Sequence, residues 1–204
     1  MMRNPKNTWN LNLQNVKKMH WLHEQLSKVV PAMDLSDILR AEYVLIVSAF
    51  DCYVHDVVLQ GMTNMFSGSK PDSRAYNEFC LPMSAVKQLL VSTDSAIRES
   101  IFNASVKKLL AKDSYQSPKS VEYAMNLINL KNVWHKVGLK LSMPSKDVVL
   151  KLGLIIQRRN KIAHEADIHD LVSMDKTPID RSDVDDTLAF LDQIVTAIEE
   201  IQTT

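Results

Sequence analysis

The residues best suited to chemistry lie in one short polar segment, directly after the apolar run 152–156. The segment holds two arginines, an asparagine, a lysine and a histidine: Arg158, Arg159, Asn160, Lys161 and His164. An imidazole can accept or donate a proton near neutrality, and a guanidinium can hold phosphate oxygens through paired hydrogen bonds. These groups suit RNA cleavage in which the 2′-hydroxyl attacks the adjacent phosphorus and leaves a cyclic phosphate. We expect this reaction to need no metal and no other cofactor.

The spacing within this segment limits how one helix can present these groups. Asn160 and His164 are four residues apart and share a helical face, whereas Arg159 and His164 diverge by roughly 140°. Either the helix ends near His164 and frees the imidazole, or a second copy of the chain completes the site across a two-fold axis. A third interpretation is that the segment is a solvated helix end with no catalytic role. Its positive charges would then interact favourably with the negative end of the helix dipole.

Composition indicates the fold that must position these residues. The 204 residues include only 4 glycines and 7 prolines, and apolar residues recur at helical spacing over long stretches. Such a chain is typical of an all-α protein. We expect a single domain over 1–204, built as a bundle of about five to seven helices, with a loop and accessory helices in 61–140.

Periodicity, capping residues and prolines predict the helices of the first half of the chain. A first helix is expected at about 10–28, before Pro31, and a central apolar helix is expected from a cap at Asp34 or Ser36 to near Phe66. A polar surface loop should follow, up to about Pro82. Further helices are predicted at 81–91, at 95–111 with Asp94 as its cap, at 121–130 after Ser117 or Ser120, and at 132–141.

Two helices are predicted in the last third of the chain. Ser145 is expected to cap the helix that carries the polar segment, with Asp147 near the positive end of its dipole. The last helix should begin at Ser182, and its apolar stripe is the clearest in the sequence: Val184, Leu188, Leu191, Ile194, Val195, Ile198 and Ile201.

Charge and cysteine content restrict the surroundings in which the protein acts. Basic and acidic residues both number 24, so RNA binding would need a local basic patch. Cys52 in a helix and Cys80 in a loop form no disulfide framework, which favours the reducing cytoplasm. Charged residues interrupt the first 30 positions, so we expect neither a signal peptide nor association with a membrane.

Two segments resemble a known family. The run 159–164 (Arg-Asn-Lys-Ile-Ala-His) is similar to the signature of the HEPN superfamily, in which an arginine and a polar residue precede a histidine, here with four intervening residues. Residues 39–56 resemble the first core helix of the RiboL-PSP-HEPN group, and the 159–164 block resembles its later core helix. Residues 61–140 contain no motif that supports the resemblance.

The resemblance implies an antiparallel HEPN-type helical core that commonly dimerises, so that paired motifs form a composite ribonuclease site. Arg159 and His164 would be catalytic, and Asn160 matches the polar position after the arginine. Asp51 resembles a polar residue of the first core helix that supports the site, and His55 would share its face. A structural hydrogen bond within the helix is an equally good interpretation of this last pair.

These observations predict a metal-independent endoribonuclease, either a toxin or an antiviral defence effector, with RNA as substrate. Arg158 and Lys161 would bind the RNA, and the partners would be a second copy of the chain and an antitoxin or other regulator. One alternative is a non-catalytic helical module that binds RNA, a nucleotide or a protein. Another is a purely structural dimerisation domain with a buried polar network formed by Asp51, His55, Asn160 and His164.

Other motifs argue against competing chemistries. The chain has no glycine-rich phosphate loop and no nucleophile elbow, which makes nucleotide hydrolysis and acyl transfer poor candidates. The pair His20 and His23, or the group His135, Asp167 and His169, lacks the dense pattern of a metal site, so we expect no metal. The scattered Trp9, Trp21 and Trp134 are predicted to be core or interface anchors rather than base-stacking residues.

Overall fold

The computed structural model describes residues 4–111, 115, 117–170 and 172–203. Nine helices and no β-strand lie within these residues, which confirms the all-α prediction but exceeds the expected five to seven helices. The helices are α1 (Pro5–Val29), α2 (Ser36–Phe66), α3 (Arg74–Asn77), α4 (Met83–Val91), α5 (Ser95–Leu110), α6 (Pro118–Leu127), α7 (Val133–Leu141), α8 (Ser145–Glu165) and α9 (Arg181–Thr203).

Side-chain caps account for several of the helix starts. The Asp94 carboxylate accepts hydrogen bonds from the backbone N–H groups of Ala96 and Ile97, at 2.8 and 3.1 Å, and so caps α5 as predicted. Ser117 and Ser120 form a reciprocal capping box at the start of α6. The helices therefore begin where local side chains satisfy backbone donors that have no partner within the helix.

Several of the predicted boundaries are wrong, and α1, for example, begins at Pro5 rather than near residue 10. The loop expected up to Pro82 contains the short helix α3, which Ser73 caps by accepting from the Tyr76 N–H. Pro144 is the N-cap residue of α8 and supplies no side-chain hydrogen bond, because Ser145 already belongs to the helix. α9 begins at Arg181 rather than Ser182. The carboxylate of Asp180, which directly precedes the helix, accepts a hydrogen bond from the Asp183 N–H at 3.0 Å.

Contacts between Cα atoms divide the chain into two compact units. One comprises the described residues of Met1–Pro5 and Tyr53–Val133, and the other comprises Lys6–Cys52 and Trp134–Thr204. The helix α2 contributes its first part to the second unit and its last part to the first. The expectation of one domain over 1–204 stays a prediction.

The unit that contains α8 has a core made from helical stripes. Trp9 and Val16 of α1 are buried, as is an apolar face of α2 that includes Ile46 and Phe50. The α8 residues Val148, Leu152, Ile155 and Ile156 are also buried, together with most of the predicted α9 stripe: Val184, Leu191, Ile194, Val195 and Ile198. Burial of each such side chain contributes roughly 1.5–3 kcal/mol, so this packing anchors the helix that carries the polar segment.

The other unit packs the end of α2 against shorter helices. Val57, Val58 and Met62 are fully buried, and so are Val106 of α5 and Met125 of α6. Gly61 permits this packing, because a Cβ atom at that position would collide with the Ile128 side chain. The exposed loop 67–72 follows, as predicted, with Gly68 in the left-handed region at φ 74°.

α2 is the one helix of the described residues that is long and apolar enough to cross a membrane by length and composition alone. Half of its most apolar stretch is buried within the protein. The core helix of a soluble protein passes the same test, so length and composition alone do not distinguish the two kinds of helix.

Candidate active site

Local sequence explains why the polar segment lies at the end of α8. The buried stripe of Val148, Leu152 and Ile155 holds the helix on the core, and the helix ends at Glu165. Ala166 then adopts the left-handed conformation at φ 50°, and its N–H donates to the carbonyl of Lys161. His164 therefore lies in the last helical turn, where the helix still determines the direction of its imidazole.

The helix directs Arg159 and His164 to different surroundings. Arg159 is only 9% exposed, Asn160 is half-buried, and Lys161 and His164 are exposed. This difference agrees with the divergence of roughly 140° expected from five residues of a regular helix. A single α8 thus presents the guanidinium and the imidazole on different sides, and the two-copy arrangement stays a prediction.

Two polar atoms of the motif are buried without a hydrogen-bond partner in the described part of the chain. They are Nε of Arg159, a donor, and Oδ1 of Asn160, an acceptor. Buried polar atoms are usually paired, because an unpaired one loses its hydration without compensation. The motif therefore has unused hydrogen-bonding capacity that a water molecule, a ligand or a second chain can satisfy.

A buried ion cluster lies beside the motif. Asp167 is fully buried, and its Oδ2 accepts hydrogen bonds from Arg40 Nε and Arg158 Nη2, both at 2.9 Å. Arg40 Nη2 and Arg158 Nη2 also donate to the carbonyl of Thr177, at 2.8 and 3.1 Å, and Arg158 Nη2 to that of Pro178, at 3.0 Å. The cluster joins α2, the end of α8 and the segment before α9.

This cluster holds the chain that follows His164. The Thr177 N–H donates to the carbonyl of Asp167 at 2.8 Å, and Ile168 pairs with Lys176 in an antiparallel bridge. Asp167 itself has a left-handed backbone at φ 61°. Because three elements meet at one carboxylate, the backbone three residues after His164 has a defined position.

The role of Asp167 is not visible in the sequence, where this residue stands out only as a conceivable metal ligand. Arg40 lies 127 residues away along the chain, so no local pattern connects the two residues. Two local signs existed, since Ser36 and Asp37 precede Arg40 by four and three residues and both accept hydrogen bonds from its Nη1. These contacts hold the Arg40 guanidinium in the orientation in which it contacts Asp167.

The two predicted RNA-binding cations have different surroundings. Nη2 of Arg158 is occupied by Asp167 and by two backbone carbonyls, so part of this guanidinium serves the fold. Lys161 is exposed and makes no ion pair with any described residue. Their roles in RNA binding stay predictions.

The two predicted supporting residues lie on α2 and are both half-buried. The ring of His55 packs against the ring of Tyr115, with centroids 4.4 Å apart and an angle of 52° between the planes. Asp51 precedes His55 by four residues on the same helix. A packing contact thus exists for His55, and a supporting role for either residue stays a prediction.

A second buried carboxylate lies on α2. Glu42 accepts hydrogen bonds from both terminal nitrogens of Arg181, at 2.7 and 3.0 Å, and His20 Nδ1 lies 3.7 Å from Glu42 Oε1. Asp185 binds the same arginine. Burial, with a further contribution from the Asp185 charge, raises the pKa of Glu42 to about 7.

The residues weighed as metal ligands do not form a cluster. Within the described ranges, no group of three histidine, cysteine, aspartate or glutamate side chains is close enough to hold a metal ion. Oδ2 of Asp167 contacts two guanidinium groups, which compete with any cation for this oxygen.

Comparison with known proteins identifies the family. Searches of curated proteins and of solved structures found no significant match. A family model described as RiboL-PSP-HEPN matches residues 16–202, a range that includes most of α1 and all of α2, α8 and the polar segment. Since this match covers nearly the whole chain, the protein belongs to the RiboL-PSP-HEPN family, an all-α family of HEPN domains.

Proposed function

We propose that this protein is an endoribonuclease that cleaves RNA without a metal cofactor. The observation that carries the proposal is the arrangement at the end of α8. An exposed histidine follows a buried arginine and a half-buried asparagine, and both of these have an unpaired polar atom. Membership of a HEPN family adds weight, since many members are nucleases.

The proposed reaction is an internal transesterification. His164 removes the proton of the 2′-hydroxyl, whose oxygen bonds to the phosphorus while the bond to the 5′-oxygen breaks. A proton then returns to the 5′-oxygen, leaving a 2′,3′-cyclic phosphate and a 5′-hydroxyl. Arg159 stabilises the negative charge that builds up on the phosphate oxygens, and Asn160 orients the phosphate or the imidazole.

The proposed site is composite and needs two copies of the chain. Leu150 and Leu154 of α8 are both more than half exposed, and helical spacing places them on one face with Lys161 and His164. Exposed leucines in a row on a core helix are typical of a surface that packs on another helix. Pairing through this face would bury the leucines and place each His164 next to the partner copy.

The alternative is a non-catalytic helical module that binds RNA, a nucleotide or a protein. The separation of Arg159 and His164 supports this candidate, because one copy of α8 does not bring the guanidinium and the imidazole together. In either case we propose a cytoplasmic protein, and the catalytic version would act as a toxin or defence effector under the control of an antitoxin or regulator.

Cleavage of total cellular RNA in the presence of a chelator tests the proposal. Wild type is compared with His164→Ala and Arg159→Ala, and with His169→Ala as a control, since His169 is an exposed histidine five residues further on. We expect fragments with cyclic phosphate ends from wild type and the control, and a loss of at least about a hundredfold in the other two variants. Unchanged cleavage in His164→Ala and Arg159→Ala would show that the site is assigned wrongly, and binding without cleavage by wild type would favour the alternative.

A further inference from the structure

One of the three tryptophans departs from the expected anchoring role. Trp9 is fully buried and Trp134 is 5% exposed, whereas Trp21 on α1 is 61% exposed. An indole is large, and leaving most of it in water forgoes the stabilisation that burial would bring. The exposed ring shares its side of α1 with the exposed Leu11 and Leu22 and with polar side chains, and this unburied aromatic surface points to a binding role.

Two uncompensated positive charges lie beside this ring. Lys17 and Lys18 precede Trp21 by four and three residues, so both neighbour it on the helix surface, and both are exposed. Lys17 makes no hydrogen bond or ion pair with any described residue, and Lys18 contacts only the Asn15 amide oxygen, at 3.4 Å.

Other lysines of α1 are neutralised. Lys28 forms an ion pair with Glu24 at 2.7 Å, and Lys6 forms one with Asp192 at 3.3 Å. The free positive charge of this helix is thus concentrated next to the exposed indole. This local concentration matters because the whole chain has no net charge.

We propose that the Trp21 patch, defined as Lys17, Lys18 and Trp21, binds single-stranded RNA outside the catalytic motif. The indole stacks on an unpaired base, and the two ammonium groups contact the flanking phosphates. The faces of the bases in a duplex are covered by their neighbours, so the patch selects single strands.

This inference rests on the proposed function, because it assigns to the enzyme a preference for RNA with an unpaired stretch. Binding can be measured apart from cleavage in a His164→Ala background. The tryptophan fluorescence then reports on the patch directly, since Trp9 and Trp134 are shielded from added nucleic acid. A single-stranded oligouridylate and a duplex of equal length serve as probes.

We expect the oligouridylate to quench the Trp21 fluorescence and the duplex to leave it unchanged. By fluorescence anisotropy, adding Trp21→Ala should weaken oligouridylate binding by about tenfold, and adding Trp21→Phe should retain most of the affinity. Adding Lys17→Gln and Lys18→Gln together should reduce the slope of log affinity against log salt by about 1.4, the value for two phosphate contacts on a single strand.

Matched variants control for the loss of an exposed ring or of two charges. Tyr123 on α6 is 59% exposed, and Lys107 and Lys108 are an adjacent exposed pair on α5. Tyr123→Ala and the double change Lys107→Gln with Lys108→Gln should leave oligouridylate affinity and its salt slope unaltered.

Two results would overturn the patch. One is equal oligouridylate affinity with and without Trp21→Ala, and the other is an effect of Trp21→Ala on self-association in sedimentation in place of RNA binding. A failure of the catalytic proposal would give a different result from a failure of the Trp21 patch. Wild type would then leave RNA intact while Trp21-dependent binding persisted.

Discussion

Two guanidinium groups share one buried carboxylate beside the motif, and this arrangement has a predictable effect on stability. Asp167→Asn would leave Arg158 without a countercharge and Arg40 with the exposed Asp37 alone. Removing one partner of a buried ion pair typically costs about 3–5 kcal/mol, so we expect the free energy of unfolding to fall by about 3 kcal/mol. Urea denaturation measures this change.

Glu165→Gln is the control for Asp167→Asn, because Glu165 is exposed and also lies at the end of α8. Its effect should stay within about 0.5 kcal/mol. Equal stability of wild type and Asp167→Asn would mean that the arginines are solvated or paired elsewhere, and that the cluster does not hold the loop.

Glu42 links stability to pH at the residue scale. Its pKa is raised to about 7 in the folded protein, above the ordinary glutamate value of 4.5. Below pH 4.5, Glu42 is protonated in both the folded and the unfolded protein, and its contribution to the free energy of unfolding is complete. As the pH rises towards 7 the unfolded chain loses the proton first, so the free energy of unfolding should fall by on the order of 2 kcal/mol.

Urea denaturation between pH 4.5 and 7.5 checks this prediction against Glu42→Gln, which cannot ionise. The variant should show a flatter pH dependence over this range, while Glu165→Gln should follow wild type. The charged groups around Glu42 are Arg181, His20 and Asp185. Parallel curves for wild type and Glu42→Gln would contradict the raised pKa.

Gly61 belongs to the contact between α2 and the residue that follows α6. Gly61→Ala would force a Cβ atom against the Ile128 side chain, and overpacking of this kind typically costs about 1–3 kcal/mol. We expect a lower midpoint in thermal unfolding. Adding Gly61→Ala to an Ile128→Ala variant should lower the midpoint by less than adding Gly61→Ala to wild type. Loss of the same size with and without the Ile128 side chain would exclude the steric explanation.

At the scale of helices, the exposed face of α8 makes a prediction about assembly. Leu150→Ser with Leu154→Ser should weaken self-association by at least about tenfold, because it removes two apolar anchors from the proposed interface. Sedimentation measures the change, and RNA cleavage should fall with it. Leu139→Ser on α7 is the control, since Leu139 is also more than half exposed and lies on another helix. Unaltered self-association of the double variant would place the interface elsewhere.

The helices could be predicted from sequence where their signals are local. The α9 stripe and the Asp94 and Ser117 caps depend on residues within a few positions of one another, and their predictions are confirmed. The short helix α3 was missed because four residues are too few to show a period. For the site, the motif could be recognised from its residue types, but the Asp167 cluster and the exposure of Trp21 depend on tertiary packing.

At the scale of the whole molecule, the divergence of Arg159 and His164 on one helix predicts complementation between inactive copies. If each site takes its arginine from one copy and its histidine from the other, a mixed dimer of Arg159→Ala and His164→Ala retains one intact pair. Random exchange in an equal mixture makes about half of the dimers mixed, each with one of two sites. The mixture should therefore recover about a quarter of wild-type cleavage, although each variant alone is inactive.

The control for complementation is a double variant with Arg159→Ala and His164→Ala in one chain, mixed with either single variant. No combination of these copies contains an intact pair, so cleavage should remain at background. If a single site needs Arg159 and His164 from both copies, the first mixture would also show no recovery. Recovery there, with no cleavage in the control, would assign the arginine and the histidine of each site to different copies, as we propose.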